Sequence, residues 1–318
     1  MPNWSEILEE VKSVGGAHDV VRRRYLAKLH EHTGRNVILY YSGWLQKGDL
    51  QRQGIGGFAI NDADKNGFMN AIHNLDRSKG LDLVLHTPGG ETAATESLVD
   101  YLRSMFGTDM RAIVPQIAMS AGTMIACACK EIIMGKNSNL GPIDPQMGGL
   151  PAHGVIEEFN TAKNDISLNP MLGNLWAPII AKYSPALIGE CQKAIKWSVD
   201  MATNWLETGM FSGDPDATKL AKDVVDELGS HALTLSHARH ISLAKAQSLK
   251  LRVTALEDDK TLQDLVLTIH HTCIQTLTET PALKIIENHK GVAFITSLQT
   301  MLLARSPNMQ VSPGVALY

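Results

Sequence analysis

An α/β fold with a mostly parallel sheet is predicted by three observations. Short aliphatic runs bounded by polar turn residues, Gly80-Leu-Asp-Leu-Val-Leu85 and Arg111-Ala-Ile-Val-Pro-Gln-Ile117, read as strands buried in a sheet. Between them, the segment Glu91 to Phe106 carries Ala94, Leu98, Leu102 and Met105 at near-helical spacing. Each strand runs into a turn of small residues, His86-Thr-Pro-Gly-Gly90 and Ala118-Met-Ser-Ala-Gly122, and the second opens the apolar run Ala121–Cys129. Right-handed crossovers of this kind make the strands parallel and bring both turns to one carboxyl edge of the sheet, where open α/β folds hold ligands.

The other elements follow in order. Residues 5–32 read as charged helix, and Asn36-Val-Ile-Leu-Tyr-Tyr-Ser42 as the first core strand. Leu45 to Gly57 reads as a polar loop, followed by a helix from Asp62 to Leu75. Pro115 cannot donate to a ladder, so it belongs at a strand end or a bulge. Beyond Pro151 the pattern is helical near 155–165, 176–209 and 214–228. The predicted organisation is an N-terminal helical arm (1–33), a core (34–260), closing C-terminal helices (261–305) and a tail (306–318).

Composition narrows the function classes. With 318 residues, 44% of them hydrophobic, the chain can bury a large core. A formal charge of −4 argues against nucleic acid as the main partner. No apolar run approaches the roughly 20 residues that span a bilayer, and the start Met1-Pro-Asn-Trp-Ser-Glu lacks the basic-then-apolar order of a leader. Four cysteines without a CxxC pair fit a reducing compartment, and a cytoplasmic location is the expectation. Neither nucleotide fingerprint, GxGxxG or GxxxxGK[ST], is present. His237/His240 and His270/His271 lack a third metal ligand and read as solvated or hydrogen-bonded pairs; no metal and no cofactor are expected.

The two turns carry the chemistry. Pro88 fixes φ, and Gly89 and Gly90 can adopt backbone angles that aim their amides at an anion. Ser120 opens a helix of small residues, where the positive helix end and the Ala121 amide favour developing negative charge. Alone, either motif reads equally well as an ordinary turn or an N-cap. In order within one α/β unit, they read as an oxyanion hole facing a serine nucleophile.

HTPGG, then AMSAG, then a small apolar helix and Glu131-Ile-Ile-Met-Gly-Lys-Asn-Ser-Asn-Leu-Gly-Pro-Ile143 together resemble the ClpP/crotonase superfamily. Within it the chain is similar to signal peptide peptidase A and NfeD-type serine proteases, and most of all to the serine dehydrogenase proteinase family, through LGPIDPQ and ENHKG. The similarity spans roughly 34–295. One departure is Ala118 in place of the first glycine of G-x-S-x-G. The resemblance implies a ClpP/crotonase-like fold of repeated ββα-type units, a homo-oligomer built on trimers or larger rings, and a peptide or unfolded-protein substrate. It also implies a lysine base some forty to fifty residues after the nucleophile. Lys163, 43 positions downstream of Ser120, fits. Such a base needs a pKa lowered by roughly 3 units through burial or cationic neighbours.

The Clp-like alternative needs a histidine, and where the Clp histidine falls this chain has Asp144. His153 is then the second choice, and His86 is close in sequence to the glycine turn. Asp144 and Gln146 are candidates to hold the base or line the cleft. An extended substrate would pair along Gly90–Thr92, which brings in Glu91 and Thr92. Two other classes share the fold: a crotonase-like enzyme that binds acyl-CoA and uses Glu91 or Glu96 as acid or base, and a non-catalytic scaffold that binds partners through the helices after 170.

Overall fold

Two helices, α1 (Trp4–Ser13) and α2 (His18–Thr33), lead into β1 (Asn36–Ser42), a strand buried at every position. The structure, a computed structural model, describes residues 4–13, 18–229 and 239–298. The loop expected after β1 contains a short helix, α3 (Gly48–Arg52). Next come α4 (Ala63–Ile72), β2 (Leu81–His86), α5 (Thr92–Phe106) and β3 (Met110–Val114). Pro115 lies just past β3, where its missing N–H costs no ladder bond, and the chain resumes as β4 (Ile117–Ala118) before α6 (Ala121–Cys127). β5 (Glu131–Met134), β6 (Asn139–Leu140) and a hairpin of β7 (Gln146–Met147) and β8 (Leu150–Pro151) follow.

Then the chain turns helical: α7 (Ala152–Leu168), α8 (Gly173–Ile180), α9 (Leu187–Trp205) and α10 (Ala217–Gly229). The helix expected over 176–209 is interrupted between α8 and α9. Pro185 has no N–H to continue it, and Ala186 sits at φ 66°. The described chain ends with β9 (Ile241–Ser242), α11 (Leu243–Ser248), β10 (Val253–Ala255), α12 (Lys260–Glu279), β11 (Ala282–Asn288) and β12 (Ala293–Ser297).

The central sheet has the order β10-β5-β3-β2-β1-β11-β12. Its first five strands run parallel, and β11 and β12 add antiparallel pairings at one side. Because side chains alternate along a strand, both sheet faces are buried. Ile38, Tyr40, Leu83 and Leu85 pack with Phe68 of α4, Leu98 of α5, Met124 of α6 and Met201 of α9. On the other face, Val37, Leu39, Tyr41 and Val84 pack with Leu26 and Leu29 of α2 and Val266 and Ile269 of α12. Strands β4, β6 and β9 form a smaller sheet beyond the carboxyl ends of β2 and β3.

Two sequence expectations are corrected. Residues 282–288 and 293–297 are strands, not part of the closing helices placed at 261–305. Ala282–Asn288 is buried throughout and pairs with β1, and periodicity does not distinguish a short fully buried strand from a buried helix. Nor is α2 an arm: it covers the sheet, and its buried Arg22 bonds Glu287 of β11 and Thr276 of α12. The tail at 306–318 lies outside the described residues.

Candidate active site

The two turns lie side by side. Thr87 and Ala118 form a parallel bridge, with the Thr87 amide donating to the Ile117 carbonyl at 3.3 Å and the Met119 amide to the Thr87 carbonyl at 3.0 Å. Gly122 is required by this approach, since a Cβ there would stand 2.5 Å from Thr87 Cγ2. Ser120 occupies φ 51°, ψ −118°, a conformation that costs an L-residue energy and that proteins keep mainly at functional turns. Gly89, at φ 94°, packs so tightly that an added Cβ would lie 2.7 Å from Ser120 Cβ and 3.0 Å from the Ala121 amide.

The two glycine amides are not equivalent. Gly89 N–H donates to Thr87 Oγ1 at 3.2 Å. Gly90 forms a parallel bridge with Ile60, in which Ile60 N–H donates to the Gly89 carbonyl at 2.8 Å and Glu91 N–H to the Ile60 carbonyl at 3.0 Å. In such a bridge the partner residue bonds the groups on either side, so Gly90's own N–H is directed away from Ile60. Ala121 is the first residue of α6, and its N–H has no acceptor within the helix.

These groups border a cleft of about 690 Å³. Pro88, Gly89, Gly90, Glu91, Thr92, Ser120 and Ala121 line it together with apolar Phe58, Met124 and Ile143 and polar Gln146 and Ser198. Ser120 is half-buried and Gly90 exposed. Lys163 stands solvent-exposed on α7 and is not among the lining residues. His153 is half-buried in the first turn of that helix, whose Ala152 N–H donates at 2.9 Å to the carbonyl of Pro145, a cleft residue. Asp144 is buried and accepts a bond from Gln146 Nε2 at 3.0 Å. Glu96 takes a bond from Trp197 Nε1 at 3.2 Å and is not part of the cleft wall.

A family model described as ClpP-like SDH-type serine proteinase matches residues 17–267. The chain belongs to this family. Relatives come from Methanocaldococcus jannaschii. One uncharacterized protein is 40% identical over 94 residues, 30% of this chain and 32% of the relative. A second is 29% identical over 182 residues, 57% of this chain and 56% of the relative. A protein described as a putative protease is 23% identical over 227 residues, 66% of this chain and 71% of the relative. The chain thus spans a third to somewhat over half the length of the first two. The mixed sheet with its parallel centre is consistent with a ClpP-like fold, and family membership supports a proteinase function.

In this chain the turn histidine does not approach the cleft. His86 ends β2 with its ring inside the protein, 4.5 Å from Trp44, 5.2 Å from Tyr41 and 5.6 Å from His270 of α12, centroid to centroid. Neither ring nitrogen has a hydrogen-bond partner among the described residues. Burial first, then His270, holds its pKa well below the usual histidine value.

His270, facing Tyr41 Oη at 3.3 Å, is lowered from 6.5 to about 3, mainly by burial. A ring that is neutral when folded and binds a proton when unfolded removes stability as acid is added. Stability is therefore expected to fall as pH drops from about 6.5 toward 3, and less steeply in His270→Gln, as read by urea midpoints across that range.

Burial pushes the thiols of Cys127 and Cys129 up to about 12, in keeping with packing roles. His237 lies outside the described residues, so its pairing with His240 does too. Among the described residues no helix is long and apolar enough to cross a membrane. Phe58, Ala59, Met124, Ile143 and Ser198 line the cleft without a sequence signal that marks them as cleft residues. Ile60 meets Gly90 through one isolated bridge, which leaves no periodic signal, and Met124 and Ile143 look like any core residues.

Proposed function

We propose that the chain is a serine peptidase in which Ser120 Oγ attacks a peptide carbonyl and the Gly90 and Ala121 amides hold the resulting oxyanion. The observation that carries this reading is the strained Ser120 beside those two amides at the mouth of the cleft. The attack forms a tetrahedral intermediate, whose collapse expels the amine and leaves an acyl ester on Ser120; water then hydrolyses the ester. An extended substrate lies along Gly90–Thr92, with Glu91 and Thr92 beside it and an apolar side chain against Phe58, Met124 and Ile143.

The base in this reading is Lys163, which takes the Ser120 proton and returns it to the leaving amine. An amine serves as base only where water is kept from it, so the exposed face of α7 has to be covered when the enzyme works. Leu168, 87% exposed, Met171, 72%, and Leu175, 61%, form the surface we assign to contacts between copies in a cytoplasmic homo-oligomer. A second reading takes His153 as base, favoured by the bond from Ala152 to the cleft residue Pro145.

A fluorophosphonate probe tests the nucleophile: intact-mass analysis should show one adduct, mapped to Ser120. No adduct, with coenzyme A bound instead, would establish the crotonase-like reading. Lys163→Ala is expected to lower kcat about 10²–10⁴-fold while His153→Ala stays near the parent value. The reverse pattern would transfer the role to His153.

A further inference from the structure

A buried ion pair lies behind the cleft and takes no part in the chemistry proposed above. Lys284 of β11 and Asp64 of α4 are each 2% exposed and meet with Nζ 2.7 Å and 2.9 Å from the two carboxylate oxygens. Their remaining bonds converge on one short segment. Lys284 Nζ donates to the Ala59 carbonyl at 2.7 Å, and the Asn61 amide donates to Asp64 Oδ2 at 3.1 Å. Tyr40 Oη of β1 completes the group by donating to the same Asp64 oxygen at 2.8 Å.

Between the two anchored residues is Ile60, whose amide and carbonyl hold Gly89 and Glu91 on either side of Gly90. This stretch belongs to no strand and meets Gly90 through a single bridge, so no ladder determines its position. Contact is close: a Cβ on Gly90 would lie 2.3 Å from both the nitrogen and the oxygen of Ile60. A displacement of residues 59–61 is therefore transmitted to the Gly90 amide. A buried ion pair is a weak source of stability, because apolar residues of similar volume serve a core as well or better. What such residues cannot supply is a set of directed bonds that fixes two backbone groups at once.

We propose that the Lys284–Asp64 pair, with Tyr40, is a positioning device for the oxyanion hole, acting through Ala59-Ile60-Asn61 on Gly90. The proposal rests on the serine-peptidase reading for its kinetic consequence but not for its structural one. The pair is a positioning element: no member of it touches substrate.

The test replaces both charges together, Lys284→Met with Asp64→Asn, so that neither is left buried alone, and adds Tyr40→Phe, which removes one hydroxyl, as a milder variant that keeps the ion pair. Kinetics on a fluorogenic peptide and hydrogen exchange are both read on the full chain. The double variant is expected to lose about tenfold to a hundredfold in kcat with KM nearly unchanged, the fluorophosphonate labelling rate of Ser120 falling by the same factor. Tyr40→Phe is expected to lose about threefold to tenfold in the same way. Amide exchange should accelerate in peptides covering 58–62 and 89–92 and stay at the parental rate in β1, β2 and β3. Parental kcat and parental exchange at those peptides, in either folded variant, would overturn the proposal, as would a uniform acceleration across the sheet. If the unmodified protein takes up no fluorophosphonate, the peptidase reading fails separately, and the exchange pattern still decides the positioning role.

Discussion

Ser120→Ala is expected to lower kcat about 10⁴–10⁶-fold, leaving only what binding and the two amides supply, and to abolish the fluorophosphonate adduct. The loss is large because in the proposed mechanism the hydroxyl bonds to substrate, and none of the polar wall residues Gln51, Thr92, Gln146 and Ser198 shares the Ser120 turn. Stability should separate alanine from glycine at this position. Ser120 is held at φ 51°, ψ −118°, a sparsely populated conformation that costs an L-residue roughly 1–3 kcal/mol. Alanine inherits that cost, whereas Ser120→Gly relieves it and should gain about 1 kcal/mol in chemical denaturation while remaining as inactive as Ser120→Ala. A glycine variant no more stable than the alanine variant would mean that the turn stores no strain.

Gly89→Ala is expected to reduce kcat/KM at least about 10²-fold, the scale of losing an oxyanion donor. Two costs combine. The residue sits at φ 94°, and its new methyl would stand 2.7 Å from Ser120 Cβ, 2.8 Å from the Met119 carbonyl oxygen and 3.0 Å from the Ala121 nitrogen. None of these is the far end of a flexible side chain, so relief requires the nucleophile turn to move away from the glycine turn. Gly107→Ala separates the contributions: it shares a positive φ, 62°, but nothing lies within 4 Å of the added carbon. That variant should lose about 1 kcal/mol of stability with unchanged kcat. Equal activity in the two variants would show that the packing of Gly89 on Ser120 has no part in function.

The fold and half of the candidate site were legible because they are written in local pattern. Asn36–Ser42 reads as a strand because every residue but the ends is apolar, and it is buried throughout. Pro115 at a strand end follows from backbone chemistry that needs no tertiary partner. The pairing of HTPGG with AMSAG was equally local: two strand-to-helix turns, each with the small residues that close approach demands. By contrast, Ala282–Asn288 mixes Leu283, Ile285 and Ile286 with Lys284, Glu287 and Asn288, which gives no clear strand period, and pairing with β1 is what makes it a strand.

Composition, spacing and turn chemistry were enough to specify the α/β class, the order of the central elements and the two glycine turns, since each depends on bonds within a few residues. Tertiary structure decided how the Gly90 amide is oriented, because Ile60, distant in sequence, bonds the groups on either side of it, whereas the Gly89 amide is taken locally by Thr87. It alone turned His86 into the core and left Lys163 in solvent, for burial is a property of what packs over a residue and not of the residue. The same holds for Lys284 and Asp64, unremarkable in the sequence, which the meeting of β11 with α4 brings together behind the cleft.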